Sequence, residues 1–351
     1  ENMRLIRHSM PDVGEREIRE IARAVARHEV GYGGTVARFE ERLARFHGTD
    51  HAVAVNSGSA ALHLALLALG VGRGDRVIMP TYCCAAVMNA VRYTGADPRL
   101  VDIDPETFNI DPALARKAVT RRTRAIIVPH MFGLPADVKS LGRLGVPMIE
   151  DCSMSIGARI GQRTVGAFGD VAIMSFYATK VMTTGGGGAL LPSTAAISRR
   201  VRDLVAYDNR DDYKVRYNYG MSMLNAAAGL SQLARLSSFL KRRREIAEHY
   251  YGSWESLPLK LPAGRGGGHI FYRYVIRTRG RADDLARRLE LRGIESKRPV
   301  YRPLHRYFPA LRDGFPAAAV VHREALSIPI YPAMSDSEVG NVINGLCEVC
   351  R

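Results

Sequence analysis

Residues 175–191, SFYATKVMTTGGGGALL, set one lysine, Lys180, between an apolar run and four consecutive glycines. In a P-loop the glycines come first, and the lysine and a Ser/Thr end the motif at a helix start. Here the glycines follow the lysine, so a P-loop is excluded. Two readings remain: a loose loop, or a reactive amine held at the end of a buried strand.

The flanking sequence favours the second. Short apolar or β-branched runs recur at 51–55 (HAVAV), 76–80 (RVIMP), 98–104 (PRLVDID), 124–130 (RAIIVPH), 146–151 (VPMIED), 171–176 (VAIMSF) and 188–192 (GALLP). Several are continuously apolar, as strands covered on both faces are. Helix-like segments such as SAALHLALLALG and DPALARKAVTRR separate the early ones. This alternation predicts an α/β fold with a mostly parallel seven-stranded sheet covered by helices. From Ser222 an apolar spacing of three and four runs through Leu236 and Leu240 to Tyr250, predicting a long helix with an exposed basic end; KRRRE (241–245) is a dense basic cluster within this stretch. Beyond it, HIFYRYVIRT (269–278) reads as a strand, RADDLARRLELRG as a helix ending at Gly293, and SDSEVGNVINGLCEVC as a last helix. The expected division is a large unit over 1–245, which includes the helix-forming GEREIREIARAVARHEVG, and a smaller α+β unit over 246–351.

Composition narrows the function classes. The 351 residues are 46% hydrophobic and 24% charged, an ordinary globular balance. No apolar run reaches the ~18 residues of a membrane span. The first residues lack the apolar stretch of a secretory signal, and Glu1 and Asn2 ahead of Met3 read as additions. The five cysteines are odd in number and show no framework spacing, which suggests reduced thiols and a cytoplasmic protein. CEVC (347–350) is a single CxxC without a second ligand pair, so no metal site is expected. A net charge of +15 raises the possibility of nucleic-acid binding. However, the basic residues are scattered, mostly arginine, and without interleaved aromatics.

Ligands of doubly wound sheets sit at the carboxyl ends of the strands. Three such ends carry suggestive groups. After HAVAV, Gly58, Ser59 and Ala60 open a helix whose free N–H groups suit a phosphate. After VPMI comes the carboxylate of Asp151. After VAIM come Ser175 and Lys180. Phosphate site, carboxylate and lysine are what pyridoxal 5'-phosphate (PLP) chemistry needs. The amine condenses with the aldehyde, the carboxylate keeps the pyridine nitrogen protonated, and Ser175 is a second phosphate donor.

With these motifs in order, the chain resembles the DegT/StrS-type sugar aminotransferases, PLP enzymes of fold type I. The segments FEERLARFHGTDHAVAVNSGSAALHLALLALGVGRGDRVIMPTY, IEDCSMSIGA, GDVAIMSFYATKVMTTGGGGAL and YNYGMSMLNAAAGLSQL carry the likeness. The resemblance implies a homodimer with a composite site, L-glutamate as amino donor and a nucleotide-linked keto-sugar as acceptor. It makes Lys180 the cofactor-bearing lysine, Asp151 the pyridinium partner, and Ser59, Ala60 and Ser175 phosphate ligands, with Asn218 reaching over from a second subunit. Four positions depart from the family pattern. Cys84 stands where an aromatic stacks on the ring, and Met154 where a glutamine lies beside it. Gly186 replaces a glutamate and Gly220 an arginine. Lys297 and Arg298, in ESKRPVYRPLH (295–305), are the candidates for the nucleotide sugar's phosphates. The alternatives are a non-sugar substrate, a sugar dehydratase (which carries histidine at the lysine position), or a non-catalytic DNA-binding regulator.

Overall fold

The computed structural model describes residues 5–311 and 313–350; Glu1 and Asn2 lie outside them. The chain opens with α1 (Glu15–Ala26) and α2 (Gly34–His47). It then alternates β1 (Val53–Val55), α3 (Gly58–Ala68), β2 (Arg76–Pro80), α4 (Ala85–Tyr93), β3 (Asp97–Val101), α5 (Pro112–Ala118), β4 (Thr123–Pro129), α6 (Val138–Gly142) and β5 (Met148–Asp151). A two-residue hairpin, β6 (Arg159–Ile160) and β7 (Arg163–Thr164), precedes β8 (Val171–Ser175), β9 (Gly188–Pro192) and α7 (Ala195–Val205). The long helix α8 (Met223–Trp254) leads to β10 (Tyr274–Arg277), α9 (Ala282–Glu290), α10 (Pro316–Glu324), β11 (Ala325–Ile328) and α11 (Asp336–Cys350).

All seven expected strands join one sheet, in the order β1-β9-β8-β5-β4-β2-β3. Its pairs are parallel except along β9, which runs against both neighbours. Strand alternation splits the core in two. Val53, Val55, Ile149, Val171, Ile173 and Leu190 pack with α3 and α4 on one face. Ala54, Ala172, Met174, Ala189 and Leu191 pack with α2 and α8 on the other. This double cover explains why the strands are continuously apolar.

The C-terminal elements enclose a separate core around Trp254, Tyr274 and Leu346. The cores exchange along α8: Leu236 and Leu240 belong to the sheet, Ile246 and Tyr250 to the C-terminal cluster. Ile6 also packs there and pairs with Ile294, away from the sheet.

Two expectations need correction. The KRRRE segment is not an exposed helix end, because α8 continues to Trp254 and Arg243 is 2% exposed. Its Nη1 donates to the carbonyls of Phe271 (3.1 Å), Tyr272 (3.1 Å) and Ile330 (2.9 Å). The strand read over 269–278 is confined to 274–277, since Phe271 has φ +51° and turns the chain before β10. Among the described residues no helix is long and apolar enough to cross a membrane.

Candidate active site

Sheet register brings the expected groups together. Gly188 at the start of β9 pairs with Val55 at the end of β1 and with Ser175 at the end of β8. Asp151, at the end of β5, stands opposite Ile173 of β8 and Pro129 of β4. A cavity of about 510 Å³ opens along this edge, lined by Gly58, Ser59, Cys84, Asp151, Met154, Ser175 and Lys180 among others.

The floor is built for an anion. Ser57 caps α3, accepting from Ala60 N–H at 3.1 Å, a contact that contributes about 1 kcal/mol to the helix. The first-turn N–H groups of Gly58 and Ser59 have no intrahelical acceptor and carry the positive end of the helix dipole. The approach is close. A Cβ on Gly58 would lie 2.7 Å from Ser175 Cβ, and one on Gly188 would lie 2.4 Å from the Ser57 carbonyl oxygen. Glycine at both positions presses the helix start, the end of β8 and the start of β9 into one nest.

Ala60 departs from expectation. It does not line the cavity, and its N–H is already taken by Ser57. Ser57, which the sequence reading passed over, is a lining residue, and an N-cap serine ahead of an apolar helix was the available signal.

Adjacent carboxylates on β5 serve opposite faces. Asp151 lines the cavity at 7% exposure, and its Oδ1 accepts from Ser153 N–H at 2.9 Å. Glu150 points the other way. Its oxygens accept from the backbone of Gly166, Phe168 and Gly169, and its Oε2 lies 3.1 Å from His130 Nε2. His130 Nδ1 accepts from Ala136 N–H, so Nε2 carries the proton that faces Glu150. Burial pushes the Glu150 carboxyl up, but the His130 hydrogen bond and these backbone donors more than reverse it, leaving it below the ordinary value. His130, Glu150 and Cys152 are close enough to suit a metal ion. Yet both Glu150 oxygens are already hydrogen-bonded, and burial and the flanking carboxylates keep the Cys152 thiol protonated. The group straps the 166–169 loop to the sheet.

Lys180 sits on a turn closed by its own N–H to Tyr177 O at 2.9 Å. Its Nζ lies 5.5 Å from the centre of the Tyr272 ring. Burial pushes the Tyr272 phenol up, while Lys180, Arg273 and a hydrogen bond with Thr179 outweigh that and leave it below the ordinary value. Tyr272 and Arg273 both line the cavity, as do Tyr301 and Arg302. The Arg273 guanidinium donates to the ring of His8, 3.1 Å from Nε2, and burial, with the charges of Arg273 and Lys297, holds His8 neutral with a pKa of about 3. No carboxylate pairs with Arg273 or Arg302 among the described residues, so both present uncompensated charge.

Lys297 and Arg298, by contrast, do not line the cavity. Lys297 pairs with Glu295 at 2.7 Å, and Arg298 with Asp283 at 2.6 Å and with the His322 carbonyl. Besides Lys180, the cavity's basic groups therefore come from Arg302, further along the same loop, and from Arg273. Asn218 also lies off the cavity. Its carbonyl accepts from Asn56 Nδ2 at 3.3 Å while its side chain is exposed.

Comparison with known proteins decides the class. The model of the DegT/DnrJ/EryC1/StrS aminotransferase family matches residues 11–347. The chain belongs to this family. It is 33% identical over 340 residues to a GDP-perosamine synthase of Caulobacter vibrioides, covering 90% of each chain. Its fold is similar to that of the aminotransferase TlmJ from Streptoalloteichus hindustanus (TM-score 0.93, 31% identity, 98% of each chain). It is also similar to Spr1654 from Streptococcus pneumoniae in its PMP-form (TM-score 0.93, 25% identity, 99% of this chain and 98% of that one). The protein is thus a PLP-dependent aminotransferase of fold type I, and the nest, carboxylate and amine fit that cofactor. Of the two glycine departures, Gly186 lines the cavity, where a Cβ would meet nothing within 4 Å, whereas Gly220 lies off it, beside Tyr32. Cys84 is exposed at the start of α4.

Proposed function

We propose that this family member transfers an amino group from L-glutamate to a keto-sugar carried on a nucleoside diphosphate. The observation that carries the reading is the pair of unpaired cations, Arg273 and Arg302, lining the same cavity as Lys180 and Asp151. The phosphate nest takes the cofactor, so a second anionic group is needed to satisfy the arginines. The carboxylates of glutamate and the diphosphate of a nucleotide sugar both qualify, in turn.

The bound cofactor supplies an aldehyde and an electron-accepting ring. Gly58 and Ser59 N–H and the hydroxyls of Ser59 and Ser175 would hold its phosphate. Asp151 would stand against the ring nitrogen and keep it protonated. Lys180 would anchor the cofactor and, once released, move a proton to and from the reacting substrate carbon through Nζ as general base and acid. The Tyr272 ring beside Lys180 excludes water from the amine. Arg273, braced by neutral His8, orients the substrate's anionic end.

The exposed Asn218 side chain supports a dimer in which it completes the neighbouring subunit's phosphate nest. Mixed dimers of Lys180→Ala and Asn218→Ala protomers should then regain activity, and inactive verified heterodimers would remove the composite site. The function itself is tested in reverse, with GDP-perosamine and 2-oxoglutarate as substrates. Glutamate formation supports the reading. Amino exchange with simple amines or amino acids, but with no nucleotide-linked amino sugar, would refute it.

A further inference from the structure

Away from the Lys180 cavity, α1, α2 and α8 enclose a groove of about 470 Å³. Arg16, Arg19 and Arg23 enter it from α1, and Arg38 and Arg42 from α2. Spacings of three, four and seven residues put each set on one helix face. Glu20 is the single carboxylate in the wall, and Arg23 already holds it at 2.6 Å. Five arginines against one glutamate leave four positive charges facing one another.

Several neighbouring arginines are neutralised. Arg235 of α8 holds Asp12 and Glu17 at 2.7 and 2.9 Å, Arg202 of α7 holds Glu40 at 2.8 Å, and Arg45 of α2 holds Glu41 at 2.6 Å. These carboxylates are thus drawn to arginines outside the groove. Within it, Arg38 donates to Thr35 Oγ1 at 3.1 Å and Arg19 to the Glu15 carbonyl at 3.3 Å. Arg16 and Arg42 make no side-chain hydrogen bond or ion pair among the described residues. Like charges three and four apart on a helix repel, and here two such rows face each other.

We infer that this groove binds a condensed phosphate chain, as inorganic triphosphate or as the phosphates of a nucleoside triphosphate. Guanidinium forks match phosphate oxygens two at a time, and a chain lying between the rows meets donors from both helices. The floor, Leu230 and Ala234 with Ser231, is small and has no aromatic side chain to stack a base, so recognition stops at the phosphates. This inference is independent of the reading of the Lys180 cavity.

The test is isothermal titration of the full-length, cofactor-loaded protein with sodium triphosphate, ATP and duplex DNA at about 0.15 M salt. Triphosphate and ATP should bind with similar affinity, weakening as salt rises. Arg16→Gln with Arg42→Gln should lower both affinities by about tenfold or more, and the unliganded variant should be no less stable than wild type. Arg121→Gln with Arg199→Gln, an equal charge change elsewhere, should leave binding intact. No binding of triphosphate at millimolar concentration would overturn the inference, as would full retention by the groove variant. Binding of ATP without triphosphate, or of duplex DNA in place of triphosphate, would overturn it too. So would a loss of stability in the unliganded groove variant, which would make these arginines part of the fold.

Discussion

Replacing Arg243 with methionine keeps a long, helix-compatible side chain but removes the donor shared by the carbonyls of Phe271, Tyr272 and Ile330. Each buried carbonyl left without a partner costs roughly 1–3 kcal/mol, so three cost about 6 kcal/mol. Against this stands the relief of an unfavourable burial. Desolvation lowers the Arg243 pKa from 12.5 to about 10, which at ~1.4 kcal/mol per unit amounts to about 3 kcal/mol. The expected net loss is therefore about 3 kcal/mol. The consequence should also be local, because the same hydrogen bonds hold the turn at Phe271 that points Tyr272 and Arg273 into the cavity. Urea denaturation followed by circular dichroism measures the first effect. The absorbance of the bound cofactor, which reads the surroundings of Lys180, measures the second. A variant within about 0.5 kcal/mol of wild type, with unchanged cofactor absorbance, would refute the argument.

Four further outcomes are expected. Gly58→Ala should drive its new methyl into Ser175 and weaken cofactor retention at an overpacking cost of about 1–3 kcal/mol, read by cofactor loss on dilution. Asp151→Asn should keep the cofactor bound while slowing amino transfer by orders of magnitude, measured in single-turnover half-reactions. Arg273→Gln should raise KM for anionic substrates, whereas Arg298→Gln should leave KM unchanged; the reverse result would restore Arg298 to the site. Finally, burial lowers the pKa values of His8, His47 and His269 to about 3, 4 and 3, from 6.5. Below pH 6.5 the unfolded chain binds protons that the native state refuses, so their stabilisation is full above that pH and is lost as pH falls toward the folded values. Between pH 7 and 5 each should cost about 2 kcal/mol, and His8→Asn should remove about 2 kcal/mol of the stability lost over that range in denaturation experiments.

The sheet was legible because strands covered on both faces must be continuously apolar, and all seven expected runs pair in it. The reversal of β9 was not, since GALLP reads the same in either direction. Lys180, Asp151, Ser175 and Gly58 were legible because each is local to a strand end. Tyr272 and Arg273 were hidden inside an apparent strand; Phe271's positive φ and the distant Arg243 turn them toward Lys180. Lys297 and Arg298 lie in a loop whose charge is visible in the sequence but whose direction is not. The ion pairs with Glu295 and Asp283 that occupy them are set by tertiary packing.

Borohydride reduction of the cofactor-loaded protein, followed by peptide mapping, tests the central claim most directly. The account predicts that the cofactor becomes fixed to the peptide containing Lys180, and that Lys180→Ala abolishes the labelling. Stable labelling at any of the other lysines, with Lys180 unmodified, would contradict it.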